Sequence, residues 1–441
     1  MSQKLSFVPF IILIGVSILC LIFSSVPGKI ITEGIDSGDV AWMLTSSALV
    51  LVMTPGLALF YGGMVSSKNI ISTMLQSFIC MGVVSILWVF VGFSLAFGDS
   101  WGGYIGNPLS YCMFKDVLDS KPWALAPTIP FVLFAFFQLK FAVIAPALIT
   151  GSFSERIRFT SYVLFICLFS IFIYSPIAHW TWHPEGFLFK MGVLDFAGGT
   201  VVHISAGCAA LAAAIYLGKR KVQITHLPAN IPYVLLGTGL LWFGWFGFNA
   251  GSSVSAGVLA ATAFATTNMA AASAGLCWLF FDAARGKKPT AMGFCIGAVV
   301  GLVSITPAAG FVTIPISIFI GTVASLISNL VVAWTAKTEL DDTLDVFPCH
   351  GVGGMVGMVM TGIFANVAVN AANTTGNGLF YGEVKLFTMH VTALVIVVAF
   401  SFCGSYLLLM LTDKISPLRV TEEEERIGLD MSQHEEKILA V

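Results

Sequence analysis

The sequence predicts an all-α polytopic membrane protein. Of its 441 residues, 57% are hydrophobic and only 10% are charged, whereas soluble domains carry about 25% charged residues. Apolar runs recur from Phe7 to the region of Asp413, and one span needs roughly 20 apolar residues. The polar breaks between runs are short, which leaves no room for a soluble catalytic domain. A net charge of −2 says little about partners, because in such proteins the placement of charge matters more than its sum. The nine cysteines fall mostly inside apolar runs, among them Cys80, Cys167, Cys208, Cys277, Cys295 and Cys403. They form neither a disulfide framework nor a zinc spacing.

Residues 1–28 carry Lys4, a hydrophobic stretch and then small residues, and read as either a signal peptide or an uncleaved N-terminal helix. Either way Lys4 stays cytoplasmic and the chain re-enters the membrane from outside near Val40. Spans are expected near 40–64, 70–97, 126–150, 160–182, 196–217, 231–251, 256–283, 290–308, 311–335, 350–368 and 386–412. With these eleven helices, 14 of the 21 Lys and Arg lie in segments expected inside, and five (Lys29, Lys115, Lys121, Lys190, Lys385) outside. That asymmetry agrees with the positive-inside rule. One histidine-bearing helix falls fifth and another tenth, which suggests two inverted five-helix halves (40–217 and 230–370) plus a last helix at 386–413. Transporters often place their pathway where such halves meet. Residues 414–441 turn abruptly acidic. They read as a solvated cytoplasmic tail, with Ile427, Leu429 and Met431 leaving room for docking.

Ionisable groups inside spans usually mark a substrate or proton path, and two histidines qualify. In "DFAGGTVVHISAG", Asp195 precedes a helix whose free N–H groups its carboxylate can cap, and His203 follows about 12 Å deeper at 1.5 Å per residue. Gly199, His203 and Gly207 are four apart, so small residues beside the histidine allow another backbone close. The pattern recurs in "FPCHGVGG", where His350 is followed by Gly353, Gly354 and Gly357. A single buried histidine is often just bonded to a backbone carbonyl; two among glycines point to imidazoles lining a path for a small polar solute. Neither a metal site nor a cofactor is implied, since Cys349 is the only ligand-type neighbour and points elsewhere on a helix.

Aromatic residues accompany them. "WFGWFGFNAGSS" spaces Trp245, Phe248 and Ser252 as one helix stripe, Phe141 follows Lys140 inside a span, and Trp182 ends "HWTW" at the outer side. Such a stripe is commonly packing or an interfacial belt. Near an outer mouth, however, aromatic faces also hold a small cation, at about 0.5–2 kcal/mol each.

Taken together, "TPGLALFYGGMV", "ALITGSFSERIRF", "MGVLDFAGGTVVHISAG", "WFGWFGFNAGSS", "FPCHGVGG" and "LRVTEEEERIGLD" resemble the ammonium transporter (Amt/Mep/Rh) family, its bacterial Amt branch in particular. The stretches span nearly the whole chain in the family's order. The resemblance implies a homotrimer in the bacterial plasma (inner) membrane with one pore per subunit. It implies that Phe141, Trp182 and Ser252 recruit ammonium with Asp195 supporting them, and that Phe141 and Phe248 form a phenyl gate. His203 and His350 are then the twin pore histidines, with Trp245 lining the pore. "HPEG" after Trp182 departs from the glycine run of many relatives, and Lys140 has no evident partner. The tail pattern implies a PII-type signal protein as a cytoplasmic partner. The expectation is thus a transporter and not an enzyme, with a Rh-like gas channel and a membrane ammonium sensor as competing readings.

Overall fold

The computed structural model describes residues 7–23, 28, 30–222 and 228–438. Lys4, on which the expected orientation rests, and Ser24-Ser25, a poor cleavage site for a signal peptide, lie outside the described residues. Helix α1 (Val8–Ile22) has no buried residue. Ten helices are long and apolar enough to cross a membrane: α2 (Ser37–Met64), α3 (Ile70–Phe97), α4 (Phe131–Phe153), α5 (Phe159–Met191), α6 (Gly199–Leu217), α7 (Ile231–Ser253), α8 (Val258–Ala284), α10 (Ile314–Thr335), α11 (Phe347–Phe364) and α12 (Val384–Ile415). The expected span at 290–308 is a shorter helix, α9 (Ala291–Ile305). At about 1.5 Å per residue it falls short of a hydrocarbon core of about 30 Å. The chain after it runs through buried turns to Thr313. The polytopic helical class therefore holds, with ten full-length spans among the described residues.

The helices begin where capping chemistry permits. Asp36 accepts the Asp39 N–H ahead of α2 at 2.9 Å, Asn230 accepts from Tyr233 ahead of α7, and Thr290 from Gly293 ahead of α9, each pairing a first-turn donor that would otherwise be orphaned. Helices α4 and α6 are the most enclosed spans. Because lipid is as apolar as the helix surface, close crossings at small residues hold such bundles together. At the α2–α7 crossing, a Cβ on Gly237 would strike the Phe60 backbone. At the α6–α11 crossing, a Cβ on Gly207 would overlap the Gly351 backbone. Gly207→Ala is therefore expected to cost about 1–3 kcal/mol, as overpacking does, seen as a lower thermal unfolding temperature in detergent.

Among the described residues five segments wind as π-helix: Trp88–Gly92, Ser170–Tyr174, Gly199–Ile204, Phe246–Ala250 and Phe347–Val352. A π-turn interrupts the regular ladder and frequently marks a functional site. The expectation of one regular stripe through Trp245, Phe248 and Ser252 is corrected here, because α7 passes from α-helix to π-helix at Phe246 and to a 3-10 turn at Gly251.

The acidic tail is docked rather than simply solvated. Helix α13 (Glu422–Ile427) opens with a capping box between Thr421 and Glu424, and α14 (Leu429–His434) follows. The buried Glu425 carboxylate accepts the Lys221 and Val222 N–H groups at 2.6 and 3.0 Å and pairs with Arg419 at 3.0 Å. Lys68 Nζ donates to the Glu425 and Arg426 carbonyls, and Asp430 accepts the Ser72 N–H. Leu429 is fully buried, whereas Ile427 is half exposed. The tail thereby closes over the loops after α2, α4 and α6.

Candidate functional site

On the side opposite the tail, an open vestibule of about 130 Å³ is walled by aromatic rings. Phe141 on α4, Trp182 on α5 and Ser252 at the end of α7 all line it. The Phe141 ring meets Trp182 edge-on at 5.7 Å and lies 4.3 Å from Phe248, tilted by 33°. The two phenyl rings together close the vestibule floor. Ser252 Oγ donates to the Phe248 carbonyl at 2.7 Å, which commits its proton and leaves its lone pairs as acceptors. Trp182 Nε1 donates to the backbone carbonyl of Asp195 at 3.0 Å, fixing the indole plane.

The Asp195 carboxylate itself does not line the vestibule. It accepts N–H groups from Gly198 (2.8 Å), Gly199 (2.6 Å) and Thr200 (2.7 Å), together with the Thr200 hydroxyl. This is the capping role its position before a helix allows, here on the π-turn that carries His203. Burial pushes the Asp195 carboxyl above the usual range against the pull of those four hydrogen bonds. Asp195 thus bears on the site twice, by holding Trp182 through its carbonyl and the His203 turn through its side chain.

Beyond the phenyl pair, Phe248, Trp245, His203 and His350 follow one another. The His203 ring lies 5.9 Å from Phe248, 5.4 Å from Trp245 and 5.5 Å from His350. The two histidines approach Nδ1 to Nδ1 at 3.4 Å, so with both rings uncharged one proton serves the pair and their tautomers are coupled. His203 Nε2 is buried without a partner, while Trp245 Nε1 donates to Thr306 Oγ1 at 3.0 Å. The cavity along this row is about 10 Å³, closed by apolar side chains such as Leu148, Leu241 and Val299. That is the space of about one water molecule, too small for a hydrated ion.

Seven of the eight residues singled out from the sequence therefore follow one another along the two cavities, with Asp195 behind them. Lys140 joins neither cavity; its Nζ lies 5.8 Å from the Phe136 ring. Cys349 packs with Trp278, Val300 and Ala324 rather than into the histidine row. Seven residues lining the vestibule were not anticipated, Leu125, Phe196 and Val254 among them. Phe134, Phe137 and Gln138 lie seven, four and three positions before Phe141, a helical spacing that was available to find them. Trp123 comes from the loop before α4, where no periodicity points to it.

Comparison with known proteins agrees with this architecture. A family profile, the Ammonium Transporter Family, matches residues 41–438. The ammonium transporter of Aquifex aeolicus is 47% identical over 405 residues, covering 91% of this chain and 93% of the relative. Among solved structures, Saccharomyces cerevisiae Mep2 superposes with a TM-score of 0.83 at 35% identity, covering 89% of each chain. A protein described as a sensor Amt protein superposes at 0.81 and 32% identity, covering 90% of this chain and 98% of that one. An aromatic vestibule leading to paired histidines, in a bundle that matches these relatives along nearly its whole length, places the chain in the Ammonium Transporter Family, whose members are membrane transporters and not enzymes.

Proposed function

We propose that the protein transports ammonium by recruiting the cation in the aromatic vestibule and passing neutral ammonia along the twin-histidine row. The observation that carries this reading is the succession from an open aromatic chamber, past the mutually tilted rings of Phe141 and Phe248, to His203 and His350 in space for about one water-sized molecule. An ion entering that dry row would meet a large desolvation penalty. Removing the proton near neutral pH costs roughly 3 kcal/mol, for about two pKa units at 1.36 kcal/mol each. Deprotonation is therefore the cheaper route. Potassium has no proton to shed, so the same step discriminates against it. The freed proton either returns outside, giving neutral transport, or crosses separately and carries current.

Phe141, Trp182 and Ser252 are assigned to cation binding, with Asp195 supporting them through Trp182. Phe141 and Phe248 form the gate, and Trp245, His203 and His350 line the path. The reading places the protein as a homotrimer in a bacterial inner membrane with the tail cytoplasmic. It also makes the docked tail and adjoining loops a landing surface for a PII-type signal protein.

The test is an ammonium pulse to proteoliposomes, recording current and internal pH. Saturable current selective over potassium supports transport with separate proton movement, and internal alkalinisation without current supports an ammonia channel. The likeness to a sensor protein favours a second reading, binding with little conduction, which silence in both recordings would support. Trp182→Leu removes one aromatic face worth about 0.5–2 kcal/mol. It is expected to raise the half-saturating ammonium concentration roughly 2- to 30-fold, and an unchanged value would remove Trp182 from the binding site.

A further inference from the structure

The vestibule holds one polar side chain to which the proposed transport path assigns nothing. Gln138 sits on α4 between Phe134 and Phe141, at i+4 from one and i−3 from the other, and lines the same chamber as Trp182 and Ser252. It is only 9% exposed, yet its Oε1 is buried without a hydrogen-bond partner. Among the described residues no hydrogen bond reaches either end of its amide. A buried amide left unpaired costs about 1–3 kcal/mol, and unpaired polar atoms in a native fold commonly await a water, ion or ligand.

The chamber explains what that ligand needs. Six of its ten lining residues are aromatic, which suits a cation's charge but offers its N–H groups few side-chain acceptors. The Trp182 indole N–H is itself a donor and is committed to Asp195. Ser252 Oγ provides one acceptor. A tetrahedral ammonium ion has four donors. The amide's last torsion is broad and roughly two-fold, and with neither end held by protein, a half-turn exchanges carbonyl for NH₂ with no bond lost. We infer that Gln138 is a specificity-determining residue of the vestibule, turning its carbonyl to accept a hydrogen bond from the N–H of the bound cation that Ser252 and the rings leave unsatisfied.

This rests on the vestibule being the cation-binding site, and the experiment separates the two. In proteoliposomes, Gln138→Leu keeps the size and burial of the side chain and removes the acceptor. It is expected to raise the half-saturating ammonium concentration about 10- to 150-fold, the effect of a hydrogen bond to a charged group, with the maximal rate within about twofold of wild type. Gln138→Glu retains acceptors and adds negative charge, so it should hold the half-saturation at or below the wild-type value even if the leucine variant folds poorly. Unchanged half-saturation in Gln138→Leu, a fall confined to its maximal rate, or a rise in Gln138→Glu would each overturn the assignment; the fall would mean that Gln138 only packs the gate rings. A wild-type protein that moves no ammonium would instead defeat the transport reading itself.

Discussion

Replacing both His203 and His350 with alanine is expected to reduce selectivity for ammonium over potassium by tenfold or more while leaving the fold intact. Among the described residues neither imidazole bonds a backbone group, and the two share one hydrogen bond with each other. Their removal breaks no cap or ladder. It does enlarge a cavity of about 10 Å³ into one with room for several waters, and a wet row no longer forces a cation to shed its proton. Potassium current should appear where wild type has none, in the same liposomes and with a similar unfolding temperature. A double variant that remains closed to potassium would show that exclusion is set upstream, at Phe141 and Phe248.

Asp195→Ala is expected to give the opposite pattern, a loss of the folded protein before any change in selectivity is measurable. The substitution leaves three N–H groups and one hydroxyl without their acceptor in a buried setting. At about 1–3 kcal/mol for each buried donor stranded, the loss should be at least 3 kcal/mol, a large part of a typical total stability. Thermal unfolding in detergent would register it. Asp195→Asn should fall between, since its single oxygen cannot serve every donor and its NH₂ faces others. Equal stability in the alanine variant would mean that the turn holding His203 is maintained by packing alone.

Much of the helical plan was legible because hydropathy reports insertion into lipid directly. The expected spans at 70–97 and 231–251 correspond to Ile70–Phe97 and Ile231–Ser253. The shortness of Ala291–Ile305 was not legible, since the residues after it are equally apolar yet turn within the protein. Asp195, His203 and His350 stood out because charge and imidazole are conspicuous in an apolar chain, whereas Phe141, Trp182, Trp245, Phe248 and Ser252 drew their roles from the family resemblance. The resemblance implied their arrangement, but periodicity alone does not yield it, for two physical reasons. Trp123 arrives from an irregular loop, and the π-turns under His203, Phe248 and His350 leave no trace in segments that are apolar on every side. The tail was half legible. Its acidic composition suited solvent, but Glu425 is buried because Arg419 and two loop N–H groups receive it.

The π-turns also bear on how such a pathway tolerates change in length. A π-turn closes its hydrogen bond one residue later than an α-turn, so each behaves as a single-residue insertion that a helix has absorbed without breaking. Three of the five hold side chains of the proposed path: His203, Phe248 and His350. Deleting one residue there would let the backbone relax into ordinary α-helix with its flanks near their present phase, and would re-aim or remove the side chain that the wide turn itself carries. At these three points the chain keeps a residue that helix geometry alone would discard, and in lineages that lose it the backbone should survive where the alignment of the path does not.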